Sequence, residues 1–171
     1  TLVIFTSDNG PNVGDNNGPN QESGGLRGKK AKIWEGGHRV PMVARWPHKV
    51  KAGSISEQTV CLTDIMATCA AIADAQLPNE AAEDSFNLLS ILLGESTEDV
   101  REYTLHQTIS LALAIRRGDW KYLDHQGSGG NSYGTGRLEK YTLPDMAPEA
   151  PGQLYNLAID PGDTTNLFFK H

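Results

Sequence analysis

The apolar run Leu2-Val3-Ile4-Phe5 breaks off at Ser7-Asp8-Asn9-Gly10-Pro11, and residues 10–28 then carry six glycines and four asparagines without any period. A continuous apolar run of this kind predicts a strand, Thr1–Thr6, buried on both faces as in a parallel sheet. The segment after it reads as a loop, and long structureless connections inside compact domains are usually functional or mobile. In open parallel α/β sheets, ligands gather just beyond the carboxyl ends of strands, which is where Asp8 and Asn9 fall. A carboxylate and an amide oxygen are hard donors of the kind that calcium or magnesium accepts. The same four residues, Asp-Asn-Gly-Pro, also make an ordinary turn for reasons of their own, so both readings stand at this point.

The cations Arg27, Lys29, Lys30 and Lys32 follow the glycine-rich loop in an otherwise acidic chain, with 15 Lys+Arg against 21 Asp+Glu. They could hold a small anion such as phosphate or sulfate, or form a solvated basic stretch. The formal net charge of −6 argues against a nucleic-acid or anionic-membrane partner held by bulk charge. No apolar run reaches the roughly 18–20 residues that a helical membrane span needs, so no membrane partner is expected. The chain starts without Met inside an apolar run and closes on Phe168-Phe169-Lys170-His171, so both ends read as cut from something longer.

Farther along, Val40–Trp46 reads as a second strand closed by Pro47. Residues Thr63–Ala75 read as a helix capped by Thr63, with Ile65, Met66, Cys69, Ile72 and Ala73 on its apolar face. A shorter helix over Leu88–Leu93 places Gly94 as its C-terminal cap. The runs Thr104–Ile109, Leu113–Arg117 and Trp120–Asp124 predict an antiparallel meander. Gly127–Gly136 is a glycine-rich excursion without the Gly-Lys-Ser/Thr of a phosphate loop, and it precedes Arg137–Leu143. Cys61 and Cys69, about 12 Å apart if helical, are too distant for a disulfide and read as small buried hydrophobes.

Together these residues resemble a known family. Thr1–Gly10, Leu26-Arg27-Gly28-Lys29-Lys30 and Glu35-Gly36-Gly37-His38-Arg39-Val40-Pro41 are similar to the second half of type I sulfatases. So are Leu62-Thr63-Asp64-Ile65, Ala114-Ile115-Arg116 with Gly118-Asp119-Trp120-Lys121, and Leu154-Tyr155-Asn156-Leu157 before Asp160-Pro161-Gly162-Asp163. Six segments in the family's order cover nearly the whole chain, and the likeness is greatest to arylsulfatase-like, polysaccharide-desulfating members. The resemblance implies an α/β, partial alkaline-phosphatase-like fold: the end of a parallel-sheet core over residues 1–100, then a smaller antiparallel-sheet subdomain with helix over 101–171. It implies hydrolysis of sulfate esters, a class that includes sulfated polysaccharides, and calcium, rather than magnesium, bound in part by Asp8 and Asn9. The family's sulfate-binding lysine precedes the Glu of Glu-Gly-Gly by five residues, which selects Lys30 over Lys29 and Lys32. His106 matches a histidine found near the substrate in some members. A periplasmic or secreted location also follows from the resemblance.

One departure is decisive. The family nucleophile is a hydrated formylglycine made from Cys or Ser in a Cys/Ser-x-Pro-x-Arg motif, and neither cysteine nor any serine here fits it. The nucleophile and the other acidic metal ligands are therefore expected in an N-terminal half, a partner that this chain lacks, and the chain alone is expected to be inactive. His38 stands where an apolar residue is usual and receives no role. Glu35 and Arg39 are expected to pair and brace the loop, and Trp34, Trp46 and Trp120 to pack. Two alternatives remain: a non-catalytic remnant binding sulfated glycans, and a phosphate or phosphonate ester hydrolase of the same superfamily.

Overall fold

The computed structural model describes residues 1–12, 23–130 and 147–171. The expectations for residues 13–22 of the first loop and for 131–146, including Arg137–Leu143, lie outside the described residues. The elements in chain order are β1 (Val3–Thr6), α1 (Glu35–His38), β2 (Met42–Arg45), α2 (Asp64–Ile72), α3 (Leu89–Leu93), β3 (Thr104–Gln107), β4 (Leu113–Arg117), β5 (Trp120–Leu123) and β6 (Gln153–Asn156), with a closing 3-10 turn at Phe168–Lys170.

The chain divides into two compact units, Thr1–Thr6 with Pro41–Glu102, and Ser7–Val40 with Tyr103–His171. The division runs at the Glu102–Tyr103 junction, and Ser7–Val40 groups with the C-terminal sheet.

In the first unit, β1 pairs antiparallel with β2, with Val3 opposite Arg45 and Phe5 opposite Val43. This corrects the expectation of a strand buried on both faces. Successive side chains alternate between faces, and Val3 and Phe5 are 51% and 69% exposed. Leu2, Ile4 and Met42 face the other way and share a small apolar cavity with Ile65, Leu88 and Leu92. No described element of this unit covers the opposite face.

The helix α2 starts one residue later than expected, and Thr63 provides no side-chain cap. Asp64 serves instead: its Oδ2 accepts the Cys61 N–H at 2.7 Å, the backward reach of a capping box. Its carboxylate also accepts the Phe86 N–H at 2.9 Å and ion-pairs with Arg101 at 2.6 Å. Burial therefore follows Asp64 and Thr68, which are buried, while Met66, Cys69 and Ala73 are exposed. The predicted apolar face is corrected accordingly. The cysteines are both free and neither is fully buried, which corrects their reading as buried hydrophobes. Gly94 does terminate α3 in the left-handed region, at φ 73°.

In the second unit, β3, β4, β5 and β6 form an antiparallel sheet in that order, the predicted meander extended by one strand. Alternation assigns Ala114, Lys121, Leu123 and Tyr155 to the buried face, and Leu105, Ile115 and Tyr122 to the exposed one. Ile33, Trp34 and Leu157 complete the core with Ala114, Leu123 and Tyr155. Residues 26–38 thus lie against the sheet that carries Lys121.

Candidate functional site

The loops that carry Asp8, Asn9 and Lys30 are held on a lattice of backbone hydrogen bonds built at glycines. The Gly10 N–H donates to Gly37 O at 2.8 Å, the Gly36 N–H to Arg27 O at 2.6 Å, and the Lys30 N–H to Pro11 O at 2.9 Å. A Cβ on Gly10 would overlap the carbonyl of Gly36, and one on Gly36 would lie 2.6 Å from both Arg27 O and Gly28 O. These close approaches are the physical reason for glycine in Asp-Asn-Gly and Glu-Gly-Gly. They fix the Asp8-Asn9 turn and the lysine segment to one scaffold.

Asp8 is exposed and Asn9 half-buried. The Asn9 amide nitrogen donates to Gly10 O at 2.9 Å, which leaves its carbonyl oxygen as the end available to a cation. Two hard oxygens on adjacent residues fit part of a calcium shell, which usually takes about 6–8 oxygen ligands. No cluster of three or more His, Cys, Asp or Glu able to hold a metal occurs among the described residues. Lys30 is exposed, with no carboxylate at ion-pair distance among the described residues. His106 on β3 is half-buried and stacks on His38, ring centroids 3.9 Å apart.

The lattice is anchored by a buried charge cluster of which the sequence assigned a role to Glu35 alone. Lys121 on β5 and Asp163 are fully buried, and Glu35 is 1% exposed. The Lys121 ammonium donates to Ile33 O at 2.8 Å, Glu35 Oε1 at 2.9 Å and Asp163 Oδ2 at 3.0 Å. The Asp163 carboxylate also accepts the Glu35 N–H at 3.1 Å. An ammonium has three hydrogens, and these three oxygens account for all of them. His38 Nε2, 3.1 Å from Lys121 Nζ, therefore carries its own hydrogen and donates to Ile33 O at 3.1 Å. Burial, then the charges of Lys121 and His106, push His38 down to about 2, so its ring is neutral. Burial likewise raises Asp163 to about 7, against the opposing pull of Lys121. Arg39 reaches Glu35 Oε2 at 3.7 Å, the predicted pair.

Lys121 had one available signal in the sequence. In Trp120-Lys121-Tyr122-Leu123, the lysine shares strand parity with Leu123, and a charged residue at a core position needs buried partners.

The sulfatase family model matches residues 1–75. An N-acetylgalactosamine-6-O-sulfatase of Bacteroides thetaiotaomicron is 34% identical over 180 residues, covering 100% of this chain and 33% of that protein. Human arylsulfatase A is 33% identical over 176 residues, covering 98% of this chain and 33% of its own length. The chain belongs to the sulfatase family. A solved B. thetaiotaomicron structure from work on glycosaminoglycan metabolism superposes on this sulfatase chain with a TM-score of 0.79 at 34% identity, over 100% of this chain and 35% of that one. The expected fold class, a partial alkaline-phosphatase-like α/β sulfatase fold, is the fold of these neighbours. This sulfatase chain spans about a third of the length of the relatives it matches.

Proposed function

We propose that this chain is the C-terminal part of an enzyme that hydrolyses sulfate esters, acting on a sulfated glycan. In this reading Asp8 and Asn9 supply two oxygens to a calcium ion, Lys30 contacts the sulfate and His106 contacts the sugar. The remaining metal ligands and the formylglycine nucleophile come from the region of its relatives that this chain does not span. A bound calcium ion would supply positive charge against the sulfate oxygens. The observation that carries the reading is the lattice joining Gly10 to Gly37 and Lys30 to Pro11, which sets the two metal-ligand candidates and the lysine on one rigid frame. Lys30, a compact point charge with three donors, is suited to a sulfate oxygen and opposes the charge that develops on the transferring group. The kinship to an N-acetylgalactosamine-6-O-sulfatase supports a glycan substrate.

The test is Lys30→Ala in the longer protein that carries a nucleophile motif. Loss of one preorganised charged donor lowers kcat/KM by about 10²–10³-fold. Lys30→Arg rescues little, because a planar fork needs a different geometry from an ammonium. Near wild-type kcat/KM for Lys30→Ala would remove the sulfate contact from this reading.

A further inference from the structure

His38 ends α1 with a ring that the charge cluster does not need. The three hydrogens of Lys121 already go to Ile33 O, Glu35 Oε1 and Asp163 Oδ2. Ile33 O is therefore satisfied before the His38 Nε2–H reaches it at 3.1 Å, and Glu35 Oε1 lies farther from that nitrogen, at 3.5 Å. The imidazole also sits there at a cost. Burial first, and then the charges of Lys121, His106 and Arg116, push it down to about 2, so the ring is neutral. A leucine or phenylalanine would fill such a place without desolvating a polar group. What the histidine adds is a flat ring whose plane is set by one hydrogen bond, and that ring stacks on His106 with centroids 3.9 Å and planes 25° apart.

His106 stands where a side chain gains from such a wall. It lies on β3, the outer strand of the four-stranded sheet, which has a neighbour on one side only. Strand parity puts His106 on the same face as Thr104, which is buried, while Leu105 between them points the other way and is 58% exposed. The residue opposite it on β4 is Ala114, whose methyl group offers a ring little lateral support. Residues 26–38 lie against this face of the sheet, and His38 meets the imidazole of His106 from that side. Near-parallel rings at this spacing touch over their faces and restrict each other's rotation. Because His38 is neutral, the pair carries at most one charge, and the stack is free of like-charge repulsion whether or not His106 is protonated.

We propose that His38 is a positioning residue, whose fixed ring holds His106 in the orientation that meets the sugar of the substrate. The inference rests on the reading of His106 as the sugar contact. Ile33 O fixes the tautomer and plane of His38, and the plane of His38 fixes that of His106, so the rigidity of the buried cluster reaches the sugar through a residue that does not itself touch it. A side chain that is already ordered before the substrate arrives spares the binding step the entropy of ordering it.

The experiment measures kcat and KM for N-acetylgalactosamine 6-sulfate in the longer protein that carries a nucleophile motif, with thermal melts as the folding check. Two substitutions separate the uses of the ring: His38→Phe keeps a flat ring without the donor, and His38→Gln keeps a donor for Ile33 O without the ring. His38→Gln raises KM by roughly 2–10-fold, the cost of ordering one side chain on binding, and His38→Phe stays within about twofold of wild type because the stack survives. The change falls in KM rather than kcat, whereas a loss of folded enzyme alone lowers kcat at constant KM. His106→Ala raises KM by about tenfold, the worth of one good hydrogen bond. Adding His38→Gln to it changes nothing further, because the ring to be positioned is gone. A wild-type KM for His38→Gln, or a rise that is the same with and without His106, overturns the proposal. Near wild-type KM for His106→Ala instead removes the sugar-contact reading itself, and the positioning role falls with it.

Discussion

Lys121 gives each of its three hydrogens to an oxygen of the loop scaffold, so removing its charge takes from two buried carboxylates the cation that they share. Breaking a buried ion pair by deleting one partner costs about 3–5 kcal/mol. Lys121→Met is expected to destabilise the chain by that amount, read as a drop in the urea midpoint at constant m-value. A change under about 1 kcal/mol would mean that the cluster relaxes without its cation. Asp163 adds a pH dependence with a definite sign. Its folded-state value of about 7 lies above the ordinary 3.8, so the native state holds its proton more tightly than the unfolded chain does. Its contribution to stability is therefore complete below about pH 3.8 and is lost as the pH rises through 7. Asp163→Asn carries no such proton, so the stability of wild type relative to this variant should decline between about pH 4 and 7. Thermal melts across that range check it, and a flat difference would place the Asp163 proton elsewhere.

At the scale of elements, the meander over β3, β4 and β5 and the glycine stop of α3 were legible because local chemistry alone dictates them. Short β-rich runs separated by turn residues have few other ways to pair, and Gly94 is the cheapest residue at φ 73°. A Cβ on Gly94 meets nothing within 4 Å, so Gly94→Ala tests backbone conformation alone. It should cost about 1 kcal/mol in a urea melt, and a neutral result would mean that the cap is not populated in solution. Periodicity misassigns the buried face of α2 for an equally local reason. Periodicity ranks Met66 and Cys69 as core residues, but the helix is apolar on most sides and a polar contact sets its rotation. Asp64 holds Cys61, Phe86 and Arg101 at once, and Thr68 accepts the Leu88 N–H at 2.9 Å, so these two residues turn inward.

For the molecule as a whole, sulfatase kinship and the missing nucleophile motif lead to two expectations. The purified 171-residue chain should release no phenol from 4-nitrophenyl sulfate above the buffer blank with calcium present, because positioned charges do not replace a covalent step. Turnover proportional to protein would contradict this. Calcium should bind only weakly, since Asp8 and Asn9 supply two of the roughly 6–8 oxygens that the ion usually takes. Tight, stoichiometric binding in a calorimetric titration would show that other groups of the chain complete the shell.

The sequence by itself determined the family, the meander and the candidates Asp8, Asn9 and Lys30, because each is written in a short segment whose order and spacing carry the information. It also determined the Glu35–Arg39 pair, whose members lie four residues apart on one turn of helix. Tertiary structure alone decided what lies behind those segments. Lys121 meets Glu35 across 86 positions and Asp163 across 42, and Gly10 meets Gly37 through backbone groups that leave no mark on side-chain pattern. The stack of His38 on His106 was equally hidden, because two distant histidines read the same whether or not the fold brings their rings together. Composition and period report the character of a residue, whereas charge pairing depends on distances that only the folded chain sets.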